Sequence, residues 1–383
     1  MNVSPFLRHL LAAVVVIGLA LTAYAYRNVI IWTIGNVRLP HASKVQQGIL
    51  QQDLGSEDVN VVASGLSVPW AMAFLPDGGM LVTERRGTLR HIRPDGAITT
   101  IEIEGVRAVE EAGLLGLAVH PAFTENGWLY LYFTYVGEQG AFKNRVDRYR
   151  LENDALLERT TIIQNIPGAI WGNGGALLFA PDRTLFISTG DADDTSTPQD
   201  LRSLGGKILR VKDDGSIPSD NPFGTAVWSY GHRNVEGLTW DSESRLWATE
   251  RGRGASAGEA EINLIVSGKN YGWPTVTGDM RENGVTASVV HSGRQEVWSP
   301  AGAAWYAGNL LFGSLRGEGL YQAAVNANPV VVKAHFETEF GRIRAVAVGP
   351  DKMVYLTTSN TDGRGMPKEG DDRLIRVNPR LFH

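Results

Sequence analysis

One phrase recurs along this chain, and its recurrence limits the fold more than any other feature. It reads in turn WAMAFLPDGGMLVTERRGTLRHI, GLLGLAVHPAFTENGWLYLYFTY, GALLFAPDRTLFISTGD, GLTWDSESRLWATERG, GAAWYAGNLLFGSLRGEGLYQ and RAVAVGPDKMVYLTTSN. Each copy is an apolar strand, a turn usually built on Pro, Asp, Gly or Asn, and a second strand, so each predicts a hairpin. Several copies are followed by a further strand, as in GGKILRVKDDG, EINLIVSG and DRLIRVNP, which brings a unit to about four short strands. About six four-stranded units repeated around an axis make an all-β, six-bladed propeller of antiparallel blades. A sandwich is the alternative, but it gives no reason for one phrase to recur. The 44 glycines and the lack of a long amphipathic helix agree with strands and turns, and 383 residues suit a closed all-β unit.

The first strand of each phrase is short, rich in small residues and apolar on both faces, as a strand lining a crowded central channel must be. The residues just before it should then gather at one mouth of that channel. They are Pro69-Trp70, Glu110-Glu111, Trp171-Gly172-Asn173, Arg233-Asn234 with Glu236, Trp298-Ser299, and Arg342 with Arg344. A ring of Trp, Arg, Glu and Asn suits a flat, anionic ligand, with arginines for carboxylates and tryptophans for stacking. The alternative is that the arginines bridge to the glutamates and tie the blades together.

Charge is nearly balanced, 36 Lys+Arg against 41 Asp+Glu, which points away from nucleic acid as a partner. Cysteine is absent, which removes thiol catalysis, thiolate metal sites and disulfides. At the N-terminus, Arg8 and His9 precede LLAAVVVIGLALTAYAY, and Ala23-Tyr24-Ala25 offers a cleavage site. Residues 1–35 therefore read as a signal peptide or a membrane anchor, 36–60 as a linker and 61–383 as the propeller, facing the periplasm or another extracytoplasmic space.

From about Val61 to Pro379 the chain resembles the soluble glucose/sorbosone dehydrogenase family, propellers that oxidise aldose sugars with pyrroloquinoline quinone (PQQ) and Ca²⁺. The likeness is carried by EAGLLGLAVHPAF, GGALLFAPD with ISTGD, GGKILRVKDDGSIPSDNPF, SYGHRNVEGL, EINLIVSGKNYGWP and GRIRAVAVGPD, in the family's order. GHRN followed by NYGWP is its most specific part. The resemblance implies that Arg233 and Asn234 touch the quinone, that Arg342 and Arg344 hold its carboxylates, and that Arg316 stands where some members place a lysine on it. It implies that Gly252, with Arg253 beside it, supplies backbone carbonyls to Ca²⁺. Glu111 aligns with a substrate-side glutamine. The implied partners are a sugar substrate and a quinone or cytochrome electron acceptor.

Two departures stand out. The family carries a catalytic histidine in a turn like HNGGR, where this chain has GNGGA, with Gly172 in the histidine position and Ala176 in the arginine position. A family-like E-x-G-P is ERGR here, so Arg251 and Arg253 add positive charge where a cation should bind. His232 belongs to GHRN itself and His120 to the HPAF turn, so neither is an obvious replacement base. Glu110 or Glu111, desolvated at the mouth, could serve as the substitute, with Glu111 and Arg233 as the catalytic pair; the alternative is that these glutamates neutralise the arginines of the ring. The competing expectation is a catalytically inactive propeller that binds a sugar, a small anion or a protein.

Among other features, Asp191, Asp193 and Asp194 form a carboxylate-rich loop that either holds a metal or is a solvated turn. Trp247, Trp273 and Trp305 read as packing between blades. There is no phosphate loop and no G-x-S-x-G elbow.

Overall fold

A computed structural model describes residues 58–253, 259–293, 296 and 298–382. The expected export or anchor segment, and the linker up to residue 57, lie outside the described residues.

Six four-stranded antiparallel sheets follow one another around a ring. In each, the innermost strand is the first half of the recurring phrase: β2 (Pro69–Phe74), β6 (Leu114–Val119), β10 (Gly174–Phe179), β14 (Val235–Trp240), β18 (Pro300–Tyr306) and β22 (Ile343–Val348). Each inner strand packs on the next, and β22 packs on β2, so the ring closes. The last sheet is completed from the other end of the chain. There β1 (Val59–Ala63) pairs with β24 (Leu374–Val377), Val59 opposite Val377. Val59 and Asn60, assigned to the linker by sequence, therefore belong to a blade. Nothing local marks VNVVA as the outer strand of a blade whose other strands begin at Ile343.

The turns follow the chemistry of their aspartates. Asp77 accepts the N–H of Gly79, Asp182 that of Thr184, Asp241 that of Glu243 and Asp351 that of Met353, at 2.8 to 3.1 Å. The side chain thus mimics a backbone turn between the first two strands of four blades.

All six inner strands carry a bulge near their start. In three blades a hydroxyl on the second strand takes the N–H that the bulge leaves unpaired: Thr83 from Ala71, Ser188 from Ala176 and Thr357 from Ala345. The same hydroxyls donate onward to Leu115, Val235 and Pro69 of the next blade. Backbone polar groups at the crowded axis are paired in this way without water. Small residues let the inner strands approach. A Cβ on Gly116 would lie 1.9 Å from the carbonyl oxygen of Gly175 in the next blade, so no other residue fits there.

The apolar core is divided into six clusters between neighbouring blades, one of which also takes in Trp70 from a third blade. Trp247 and Trp305 stack at 6.3 Å in one of them, as expected of packing residues.

Candidate active site at the channel mouth

A cavity of 320 Å³ runs between the inner strands, lined by small and apolar side chains, with Trp70 and Glu236 among its lining residues. Arginines and acids drawn from several blades gather where the inner strands begin. Glu236, in β14, accepts from Arg344 at 3.0 Å, from Arg251 at 3.3 Å and from the Asn234 amide at 2.9 Å. Arg251 reaches on to Glu111 at 2.7 Å, and Glu111 also bonds Arg364. One ion-paired chain thus links three blades.

Arg342 is committed too. Its Nε and Nη2 donate to Asp362 at 3.1 and 2.8 Å, and its Nη1 donates to the Leu315 carbonyl at 2.7 Å. Asn234 is spent on structure, because its Oδ1 accepts the Gly174 N–H at 2.8 Å while its amide nitrogen holds Glu236. Arg342, Arg344 and Asn234, which the resemblance places on a cofactor, therefore serve first to join blades. Asn173 is likewise absorbed by Asn144 and by Ala169 of its own loop. Trp70 and Trp298 are buried in packing, and Trp298 donates to Glu296 at 2.5 Å, so neither offers a stacking face. Trp171 is exposed.

Not every guanidinium is matched. Among the described residues, the guanidinium groups of Arg85, Arg253 and Arg316 have no carboxylate partner, although the Arg253 N–H donates to Glu259 at 2.7 Å. Arg85 is half-buried near Arg344, Asp362, Glu111 and Arg364, and burial followed by the repulsion of Arg344 brings it down to about 10. Arg253 and Arg316 line a pocket of 60 Å³ with Arg251, Trp298 and Ser299. Three guanidinium groups at the mouth are therefore left without a carboxylate in contact, although Glu296 lines the same small pocket. Sequence reading missed Arg85 because it ends a second strand rather than preceding a first. Asp362 and Arg364 come from a loop of the last blade that no motif marked.

Arg233 is held differently. Its N–H donates to Glu250 at 2.5 Å, and its Nη1 donates to the carbonyls of Arg251 at 3.0 Å and Gly252 at 2.7 Å. Its Nε is buried without a partner. Glu250 also takes His232 Nδ1 at 3.0 Å, and Ser229 lies 2.9 Å from His232 Nε2. The two ring nitrogens of His232 thus bridge Glu250 and Ser229, which braces the turn that carries Arg233. Trp273 is buried, as expected of a packing residue, and it packs beside the arginines of the mouth. Its indole donates to Asp191 at 2.9 Å, with Arg253 at 5.0 Å and Arg233 at 6.0 Å from its ring.

Glu111 is a poor base in this setting. Burial alone would raise its carboxyl, but Arg251 and Arg364 prevail and hold it at about 2. A general base works best with a pKa near the operating pH, so the expectation that Glu111 takes the proton is corrected. Because its folded value lies below the ordinary 4.5, Glu111 stabilises the fold above that pH, and the contribution fades as pH falls toward 2. The difference corresponds to about 3 kcal/mol. Glu111→Gln should therefore flatten acid unfolding over that window, read by intrinsic fluorescence against pH. An unchanged acid limb would show that the pair contributes nothing.

The turn at Gly172 is closed by Asp191. Gly172 has φ +69°, and a Cβ on it would stand 2.9 Å from Asp191 Oδ1. Burial pushes the Asp191 carboxyl up, with Arg233 opposing. Asp191, Asp193 and Asp194 do not converge: Asp191 faces Trp273, Asp194 caps Ser196, and Asp193 lies 3.8 Å from Arg233. Among the described residues no group of three His, Cys, Asp or Glu side chains could hold a metal. His120 accepts from Ala122 and Asn126, as a turn histidine does.

Six four-stranded blades around a narrow channel, with arginines and acids from several blades gathered at one mouth, define a six-bladed β-propeller with a charged channel mouth. The chain belongs to the glucose/sorbosone dehydrogenase family, whose model matches residues 66–374. It is 33% identical over 357 residues to the aldose sugar dehydrogenase YliI of Escherichia coli, covering 84% of this chain and 93% of that one. It is 30% identical over 262 residues to quinoprotein glucose dehydrogenase B of Acinetobacter calcoaceticus, covering 59% of this chain and 54% of that one. The solved PQQ-bound aldose sugar dehydrogenase of Streptomyces coelicolor superposes with a TM-score of 0.77 at 39% identity, covering 83% of this chain and 97% of that one.

Proposed function

We propose that this protein is a quinone-dependent sugar oxidoreductase that binds PQQ at the channel mouth and oxidises an aldose. The observation that carries the reading is the set of guanidinium groups without a carboxylate in contact, Arg85, Arg253 and Arg316, together with the unpartnered Nε of Arg233. A polycarboxylate is the ligand such a set recognises. These four arginines would hold it, with the Trp273 ring beside Arg233 and Arg253. The bound quinone would supply the hydride acceptor.

The chain's own residues would orient the sugar and take its hydroxyl proton. Asp191 is the acceptor in this reading, since its Oδ1 stands where a side chain at Gly172 would begin and burial has raised its carboxyl. Ca²⁺, which the resemblance implies at Gly252 and Arg253, does not suit the donor set. The Gly252 carbonyl already accepts from Arg233, and three arginines surround it. Electrons would pass to a quinone or cytochrome outside the cytoplasm. Recovery of the protein in a periplasmic or membrane fraction would support that location, and a cytosolic protein would exclude it.

A second reading rests on the ion-paired chain. Glu111, Glu236 and Asp362 already satisfy Arg251, Arg344, Arg364 and Arg342, as in a non-catalytic propeller that binds a sugar, an anion or a protein. The experiment is a titration of the full chain with PQQ, followed by tryptophan fluorescence, then addition of aldoses with an artificial electron acceptor. Binding at about micromolar concentration or tighter, with sugar-dependent dye reduction, is expected. Binding without reduction would leave the second reading, and no binding would end the first.

A further inference from the structure

We infer that the guanidinium of Arg233 stands in for a divalent cation on the carbonyls of Arg251 and Gly252, so that this mouth holds its anionic ligand without a metal. The identity of the ligand rests on the reading above; the exclusion of the metal does not.

Two adjacent carbonyl oxygens that converge on one point form a cation site, and either a metal ion or a protonated side chain can fill it. Here one nitrogen, Arg233 Nη1, takes both, at 3.0 and 2.7 Å. The backbone makes this arrangement specific. Arg251 N donates to the Asn234 carbonyl at 2.9 Å, and Arg233 N donates to Glu250 at 2.5 Å. Residues 233–234 and 250–252 therefore run side by side, and the Arg233 side chain falls across the two carbonyls. His232 and Asn263 hold the other oxygen of Glu250, at 3.0 and 3.2 Å, so the brace is itself fixed.

The surroundings favour a single permanent charge over a double one. A divalent ion on these carbonyls would face the guanidinium groups of Arg233, Arg251 and Arg253. The acids near by are already in use, Glu111 and Glu236 by Arg251, Asp191 by Trp273, Glu259 by the Arg253 N–H at 2.7 Å and Glu296 by Trp298 at 2.5 Å. Asp193 remains, 3.8 Å from Arg233 and 45% exposed. Calcium sites normally gather six to eight oxygens, several of them carboxylates, and two carbonyls ringed by arginines do not offer that. Arginine also keeps its proton at any physiological pH, so the charge cannot be removed by a chelator. While Nη1 holds the carbonyls, the buried Nε of Arg233 has no partner, which leaves a charged donor for an oxygen of the ligand. Arg233 would then supply both the charge and a direct bond.

Two measurements on the full chain test this. In the first, Tb³⁺ is added as a calcium probe and its tryptophan-sensitised emission is followed. No emission that Ca²⁺ competes away and that Trp273→Phe abolishes is expected; such a signal would overturn the inference. In the second, PQQ affinity is compared in EDTA and in millimolar Ca²⁺. A difference below about threefold is expected, whereas tightening by about tenfold or more with Ca²⁺ would overturn it. Arg233→Gln, which keeps an amide to bond the carbonyls but removes the charge, should weaken PQQ in EDTA by about tenfold or more. Unchanged affinity in that variant would count against Arg233. If PQQ binds under neither condition, the quinone reading fails, and the Tb³⁺ result alone decides the metal.

Discussion

Replacing Arg342 by alanine should cost about 3 to 5 kcal/mol of stability, whatever it does to ligand binding. Asp362 is almost wholly buried, with 3% of its side chain exposed, and Arg342 bonds it through two nitrogens. Burial would raise the Asp362 carboxyl, but Arg342 and then Arg344 hold it low, so it is charged at neutral pH. Removing Arg342 strands that charge with Ser359 and the more distant Arg344, and also frees the Leu315 carbonyl of the neighbouring blade. Denaturant unfolding would show a lower midpoint with an unchanged slope. The Arg342→Ala, Asp362→Ala double variant should recover part of the loss, because it no longer buries an unpaired carboxylate. A single variant as stable as the parent, but unable to bind quinone, would instead make Arg342 a cofactor clamp, as the resemblance implied.

Asp372→Ala should cost about 4 kcal/mol or more, and it acts at the seam where the ring closes. The Asp372 carboxylate is fully buried and accepts from Val68 N at 3.1 Å, Asn360 N at 2.5 Å, and Thr358 Oγ1 at 3.1 Å, as well as from Thr361. Its own backbone pairs with Leu66 in both directions. These bonds join the last blade to the segment between β1 and β2, which the chain reaches some three hundred residues earlier. Alanine would leave at least two backbone donors buried and unpaired, each at a cost of about 1 to 3 kcal/mol. Thermal unfolding should shift down by about 8 °C or more. Asp372→Asn, which keeps one acceptor oxygen, should fall between. A shift of about one degree for Asp372→Ala would mean that the seam is held by strand pairing alone.

Much of the architecture was legible because its causes are local. In four blades the first two strands are separated by a turn whose aspartate bonds the backbone two residues on, so LPDGG, APDRT and GPDKM announce hairpins by themselves. The crowding of the inner strands forces Gly and Ala into their sequences, which made the channel-lining strand recognisable. From that strand followed the ring of residues before it, and Glu111, Glu236, Arg233, Arg342 and Arg344 do meet at one mouth.

What those residues do there could not be read in the same way. Glu111 looked like a base because it was expected to be desolvated, yet its partners, Arg251 and Arg364, lie 140 and 253 residues away. Burial is still the largest single influence on its carboxyl, but the two arginines together outweigh it and hold the carboxyl low. Arg342 and Asn234 match a family pattern for ligand contact and are spent on bonds between blades, while Arg85, which no motif marked, is left without a carboxylate. Composition and periodicity determined the number of blades, the direction of each strand and the set of charges delivered to the mouth. Only the closed ring decided which charges neutralise one another, because a side-chain ion pair forms within a few ångströms of space and carries no trace in the residues beside it along the chain.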